Sequence, residues 1–394
     1  MVRSVVIATA LLLSALTLRA ESITGEGLET DTLRYRYTPI DQTPGIVEFG
    51  LRLYDYLHLL PDEAKRANVA VVALPAYSIT TGLRVVALGN IEYRSVCDKE
   101  QIDNLQILAS ASLTRYYDLI IDGTNHFDKK RHGLHYNATA ISAPSRLYGL
   151  NYAQSSINNP GHYIRQTLST TLGYSWHVTE WLLLGTELDY SLVRAIKLNS
   201  RASEIAPLDG SKYSGLGITL MAKFATHKTL DINSERGLHA HVSATLKPSF
   251  ISSYNKTLWQ LGAMLTYYQP LWRGALVAAN IYAKHQPTHT HWILRLSLGS
   301  EDYMRGYYPT RYNGNTLVGG QAELRQQIWE SLVVAAWVGA GGVASVNDPL
   351  AWHKILPDYG VGIRWYTSPT SALTIDLGFG RRSHNLQLGL SQRF

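Results

Sequence analysis

The sequence is short of cysteine, phenylalanine and net charge, and beyond its first 20 residues it has no long apolar run. A single cysteine in 394 residues, Cys97, excludes an internal disulfide framework and every multi-cysteine zinc or iron–sulfur site. It also excludes a bacterial lipoprotein, which needs a cysteine just after signal cleavage. A mean hydropathy of −0.09 leaves no room for a bundle of membrane helices, each of which needs about 20 consecutive apolar residues. With 45% hydrophobic and 10% aromatic residues the chain is not a disordered one. A membrane β-barrel survives all of these exclusions, because its strands are only half apolar and average to near-neutral hydropathy.

The first 20 residues read as a secretory signal peptide. Arg3 forms a short basic region, Val5 to Leu18 is an apolar run interrupted only by Thr and Ser, and Ala20 suits cleavage before Glu21. Without Arg3 and Arg19 the exported chain carries 34 basic and 30 acidic residues, a net charge of +4. That is too mild to argue for a nucleic-acid partner.

From about Ala70 onward the side chains alternate with period two. Leu386, Leu388, Leu390, Gln392 and Phe394 alternate with Asn385, Gln387, Gly389, Ser391 and Arg393. Tyr359, Val361, Ile363 and Trp365 face away from Gly360, Gly362 and Arg364, and Leu238, Val242 and Leu246 oppose His239, His241 and Lys247. A soluble sandwich also alternates. Three features favour a transmembrane antiparallel barrel instead. The polar faces carry small residues and mid-strand charges, as a wet lumen allows. Tyr and Trp together outnumber Phe by 34 to 6, which suits interfacial aromatic girdles. The chain ends on a strand whose last residue is Phe394, the terminal aromatic that outer-membrane barrels share and that barrel-assembly machinery reads.

Residues 70–394 number 325, which at about 20 residues per strand and connection gives roughly 16 strands. Short turns are expected near Ser368–Thr370 and at Glu330–Ser331, and long external loops at Ser345–Pro357 and Ser300–Asn315. In this count the long stretch Ala195–Lys212 falls on the short-turn, periplasmic side, out of step with the rest.

The loop at 300–315 is specific. Arg305-Gly306-Tyr307, then Arg311-Tyr312, then Gly319, Gly320, Glu323 and Arg325, resemble the barrel of the BamA/TamA-like superfamily, the bacterial surface antigen family. Further matches are the glycine-bearing strand Trp337 to Val343, the strand Tyr359 to Arg364, and Leu373 to Gly380 with Asp376 at its middle. The resemblance is dense from Ser300 onward and weak before Gly237. It implies an all-β outer-membrane barrel whose Arg-Gly-aromatic loop folds from outside back into the lumen, and outer-membrane lipid and assembly machinery as its surroundings. It also implies a second acidic partner for the loop on the strand after Glu323, where this chain has Gly339.

An arginine buried in a lumen needs a fixed counter-charge. Gln321, Glu323 and Arg325 share a polar face, so Glu323 can offer Arg305 a carboxylate. The alternative is that Arg305 is solvated and Glu323 pairs with Arg325. Arg364 and Asp376, equidistant from Thr370 and both on polar faces, are expected to meet as a lumenal ion pair or else to be hydrated separately.

Members of this superfamily that assemble or translocate proteins carry periplasmic POTRA modules, and some relatives carry a patatin-like phospholipase. The 49 residues 21–69 are too few for either, and no Gly-x-Ser-x-Gly elbow is present. In residues 49–66, Leu51, Tyr54, Leu57 and Leu60 fall at helical spacing, so this leader holds either a short helix or a plain spacer. His239 with His241, and His289 with His291, lack metal-site spacing on a suitable scaffold. Ser155, Ser156 and His162 do not compel a phospholipase reading. No enzyme activity, cofactor or metal is expected. The functions left open are assistance in protein insertion or translocation at the outer membrane, a passive pore or structural surface barrel, and a barrel serving a separately encoded periplasmic partner.

Overall fold

The computed structural model describes residues 67–394 apart from 79–80, 95–101, 129–130, 208–209, 227–235, 300–302, 330–331, 347, 367–371 and 392–394. The expected signal peptide (1–20), most of the leader (21–66, with the helical spacing at 49–66), the turns at Glu330–Ser331 and Ser368–Thr370, and Phe394 lie outside the described residues.

The strands are β1 (Ala67–Ser78), β2 (Gly82–Arg94), β3 (Ile102–Ser112), β4 (Tyr117–Phe127), β5 (His132–Leu147), β6 (Gly161–His177), β7 (Leu182–Ile196), β8 (Lys212–Ala225) and β9 (Gly237–Lys247). They continue as β10 (Leu258–Pro270), β11 (Ala275–His285), β12 (Leu296–Leu298), β13 (Tyr312–Gly314), β14 (Thr316–Gln327), β15 (Leu332–Ala344), β16 (Leu356–Tyr366), β17 (Ala372–Gly380) and β18 (Ser383–Ser391). Sixteen of them close an antiparallel barrel in chain order, and β12 and β13 form a separate two-stranded sheet. Among the described residues two short helices, α1 (Tyr152–Ser156) and α2 (Ser200–Ile205), lie in loops.

Alternation places the apolar side chains outside. Leu168, Leu172 and Tyr174 of β6, Val242 and Leu246 of β9, Val361 and Ile363 of β16, and Ile375 and Leu377 of β17 are all exposed. Such a continuous apolar belt is far beyond what a soluble monomer shows and matches the lipid-facing band of a membrane barrel. Closure gives every barrel strand a neighbour on each side, the condition for satisfying backbone groups in hydrocarbon.

The longest connections, 148–160, 197–211 and 286–315, all leave one rim. Residues 197–211 join β7 to β8 on the same rim as residues 286–315, which join β11 to β14. The expectation that Ala195–Lys212 lies on the short-turn side is therefore corrected. The strand signal before this stretch, where apolar and polar residues mix, is too weak to count by eye.

The loop after β11 starts at 286 rather than 300. Its first half, with Trp292, Ile293, Leu296 and Leu298, reads as strand in sequence but turns inward and forms the β12–β13 sheet. Leu298, Met304, Tyr307 and Tyr312 pack with Tyr282, Leu317, Val343 and Leu356. Trp292 and Ile293 pack with Leu147, Tyr163, Val193 and Tyr213. The long-loop mouth of the barrel thus has a hydrophobic core made by its own loop. The expectation of a uniformly wet lumen does not hold in this half.

Candidate functional site: the lumenal Arg-Gly-Tyr loop

The ladder β14–β15–β16–β17–β18 sets out parallel rows of lumenal positions. One row runs Glu323, Trp337, Gly360, Gly378, Asn385, since these residues are successive register partners. On one side of it runs Arg325, Ala335, Gly362, Asp376, Gln387, and on the other Gln321, Gly339, Asp358, Gly380, Ser383. Five glycines make a shelf without side chains at the centre of these rows. The segment Met304–Tyr307 lies on it.

Gly306 is required by this close approach. A Cβ there would stand 2.6 Å from the carbonyl oxygen of Phe379 and 2.8 Å from the amide nitrogen of Gly380, backbone atoms that cannot swing aside. A Cβ on Gly378 would in turn meet the Gly306 nitrogen at 2.7 Å. Just before, Met304 takes a left-handed φ of 54°, which turns the chain so that Met304 enters the apolar cluster while Arg305 reaches the charged row. That conformation costs on the order of 1–2 kcal/mol for a residue with a Cβ.

Arg305 and Glu323 are both 0% exposed, and the Arg305 Nη2 donates to Glu323 Oε2 at 2.5 Å. Its Nη1 lies 3.4 Å from Asp376 Oδ2, and its guanidinium stacks over the Trp337 ring at 4.1 Å. Glu323 also accepts from Arg325 Nε at 2.8 Å and from Arg364 Nη2 at 3.3 Å. Arg364 pairs with Asp376 through Nη1 as well. Arg305 is not solvated, and the one Glu323 carboxylate serves Arg305 and Arg325 together. Charges this deep must be matched and hydrogen-bonded, because each unpaired one costs several kcal/mol of desolvation.

The Gly306 N–H donates to Asp358 Oδ1 at 2.7 Å, and Trp337 Nε1 donates to Asp358 Oδ2 at 3.0 Å. Asn385 Nδ2 donates to the Arg305 carbonyl at 3.1 Å. The Tyr307 hydroxyl donates to the Pro357 carbonyl and accepts from the Arg381 N–H, each at 2.7 Å. Where the resemblance implies an acid, Gly339 stands. The carboxylate opposite it across the ladder is Asp358, which holds the loop backbone, while Asp376 and Trp337 supply the second and third partners of Arg305.

One expectation is corrected. Arg364 and Asp376 meet, but not as direct neighbours: the ladder pairs Arg364 with Thr374 and Asp376 with Gly362. The hairpin is centred one residue before Thr370, so the contact is diagonal. Trp337 is 2% exposed and lumenal. Sequence reasoning passed over Asp358 too, although it shares the parity of Gly360, Gly362 and Arg364 and could have been found from it.

Farther out, the same loop spans the mouth. Thr310 Oγ1 donates to the Arg146 carbonyl at 2.8 Å, Asn313 Nδ2 to that of Gly149 at 3.0 Å, and Trp292 Nε1 to that of Gly210 at 2.7 Å. Arg165 Nη1 of β6 donates back to the Ile293 carbonyl at 2.8 Å. These bonds tie the loop to the β5–β8 side of the rim.

The barrel seam is of a different strength. Among the described residues β1 meets β18 through one register pair, Ser78↔Gln387, whereas β1 pairs with β2 along its whole length from Ala67 to Ser78. Proline enters a ladder only where its nitrogen faces away from the paired neighbour. With β1 fully paired to β2, the donor missing at Pro75 is one that β18 would otherwise use.

No protein-family model matches the sequence, and no curated protein matches it. Among solved structures the fold is similar to that of CdiB from Escherichia coli, with a TM-score of 0.60 and 13% identity over 87% of this chain and 70% of that one. It is also similar to BamA from Haemophilus ducreyi lacking POTRA domains 1-3, with a TM-score of 0.56 and 13% identity over 83% of this chain and 70% of that one. CdiB from Acinetobacter baumannii aligns at 0.55 and 14% identity over 83% of this chain and 60% of that one. At such identities the likeness is one of fold: the chain is an outer-membrane-type barrel with the architecture of BamA and CdiB.

Proposed function

We propose that this barrel belongs by function to the BamA/TamA-like superfamily and assists protein insertion or translocation at the outer membrane, acting through its β1–β18 seam. The observation that carries this reading is that, among the described residues, Ser78↔Gln387 is the one register pair of the seam in an otherwise fully laddered wall. A register pair contributes at most two backbone hydrogen bonds, each worth about 0.5–1.5 kcal/mol net. Peeling β5 from β6 would break a ladder running from His132↔Trp176 to Leu147↔Gly161. The seam is therefore where the wall opens first.

An open strand edge in hydrocarbon leaves backbone donors and acceptors unsatisfied at several kcal/mol each. The edge lowers that energy by taking up another strand, which is β-augmentation. A client segment with strand alternation offers what the seam lacks. The loop packed in the long-loop mouth argues against a wide passive pore, which is the second reading. A separately encoded periplasmic protein remains a fitting partner for delivering the client.

The test is a disulfide lock, Ser78→Cys with Gln387→Cys in a Cys97→Ser background. Directly opposed antiparallel residues have Cα atoms about 4.5–5.5 Å apart, within disulfide reach. The barrel is reconstituted in liposomes, and the folding of an urea-unfolded outer-membrane barrel is followed by its heat-modifiable gel mobility. The unlocked protein should accelerate client folding, the locked one should not, and reductant should restore the rate. Equal acceleration by the locked form overturns the seam mechanism. No acceleration by any form, together with a large steady conductance, favours the passive pore.

A further inference from the structure

The long-loop rim holds a cleft of about 500 Å³ that plays no part in the Arg305 site. Arg115, Arg146, His162 and Lys197 line it, together with Tyr308, and among the described residues no carboxylate does. None of the four basic side chains forms an ion pair or hydrogen bond among the described residues, and Arg146 only faces the Tyr308 ring at 4.9 Å. Several other cations of this protein are matched: Lys247 by Asp189, Arg84 by Asp118, Lys354 by Asp348, Arg201 by Glu204. Positive charge gathered in a concavity focuses its field and draws anions to it.

The backbone supports the same conclusion. Arg115 and Lys197 take left-handed φ values of 67° and 54°, although neither is glycine. They come from two different loops, after β3 and after β7, and both line the one cleft. Strain of this kind persists where the surroundings hold it, and it gathers at binding sites.

The position of the cleft selects the anion. On β6 the exposed Leu168 and Leu172 mark the lipid-facing positions, and counting back by twos puts Ile164 and His162 on that face at the rim. Their ladder partners are Pro144 and Arg146. Beside the cleft, Leu113 is 96% exposed in the turn that carries Arg115. Positive charge above an apolar wall, at the level where the wall leaves the membrane, matches an amphiphile with an anionic head. Two arginines favour phosphate, which accepts the forked pairs that guanidinium gives.

We propose that this cleft binds the phosphorylated headgroup of a membrane lipid, with Arg115, Arg146 and Lys197 as its anion ligands and His162 beside them. None of the proposed ligands lies on β1 or β18, and either assignment stands without the other.

Native mass spectrometry of the full chain in detergent tests it, with lipid A, its dephosphorylated form and inorganic pyrophosphate as probes. The variant is Arg115→Gln with Arg146→Gln and Lys197→Gln, and the control is Lys256→Gln on the β9–β10 loop outside the cleft. Heat-modifiable gel mobility checks that each variant is folded. Wild type and K256Q should retain lipid A, and the triple variant should bind it at least about tenfold more weakly. Dephosphorylated lipid A should bind wild type as weakly as the triple variant binds lipid A. Equal retention of lipid A by wild type and triple variant, or of the two lipid forms by wild type, overturns the site. Pyrophosphate binding as tightly as lipid A overturns the lipid assignment.

Discussion

The guanidinium of Arg364 is bonded to the carboxylate of Asp376 two residues out of step with the ladder, so that the Asp376 side chain lies over Gly362. A Cβ at position 362 would overlap both charged groups. Gly362→Ala should therefore push them apart and lower stability by about 1–3 kcal/mol, the usual cost of overpacking. The temperature at which the barrel loses its fast gel mobility should fall. An unchanged midpoint would mean that the diagonal pair is not formed.

Glu323→Gln keeps the shape of the side chain and removes the charge that three arginines share. Breaking a buried pair from one side costs about 3–5 kcal/mol. The loop at 286–315 should loosen, and trypsin should cut at Arg305 or Arg311, both buried in the native protein. A variant as trypsin-resistant as wild type would contradict the anchoring role of Glu323.

Gly306→Ala asks a different question, since no charge changes. The added methyl meets backbone of Phe379 and Gly380, so the loop must lift from the glycine shelf and give up the Gly306–Asp358 hydrogen bond. Trypsin sensitivity like that of Glu323→Gln is expected, and planar-bilayer conductance should rise as the mouth opens. Full protection of the loop would show that the shelf has more room than the structure gives it.

Asp348 ties the β15–β16 loop to α1 by accepting the Tyr152 N–H at 2.7 Å and pairing with Lys354. Burial pushes its carboxyl up, but the Lys354 and Tyr152 hydrogen bonds outweigh this and hold it below its ordinary value. A depressed carboxylate stabilises the folded form above its unfolded pKa of about 3.9 and loses that contribution as pH falls through the lower, folded value. The clasp should be intact at neutral pH and at pH about 5, and should open only below about pH 4. Asp348→Asn should loosen it at every pH, read as proteolysis of residues 345–355. Opening between pH about 6 and 7 would contradict the assignment.

The barrel was legible because lipid on one side and lumen on the other impose a strict period of two, as in Tyr359–Trp365 and Leu373–Phe379. The same parity showed that Glu323 and Arg325 share a face. What stayed hidden depended on three-dimensional filling. Trp292 to Leu298 look like strand because they are apolar, yet they are buried by a loop turned inward. Trp337 shows no partner in the sequence, and only the fold brings Arg305 and Asp358 to it. Register across β16–β17 depends on turn geometry that composition does not reveal, and this displaced the expected Arg364–Asp376 pairing by two residues.

Hydrogen–deuterium exchange of the barrel in lipid nanodiscs tests the weak seam most directly. Backbone amides exchange through local opening, at rates set by the free energy of that opening. If β1 and β18 are held together by little more than Ser78↔Gln387, their amides should exchange at least about tenfold faster than those of β5 and β6. Equal protection of β1, β18, β5 and β6 would contradict a weak seam and the function proposed for it.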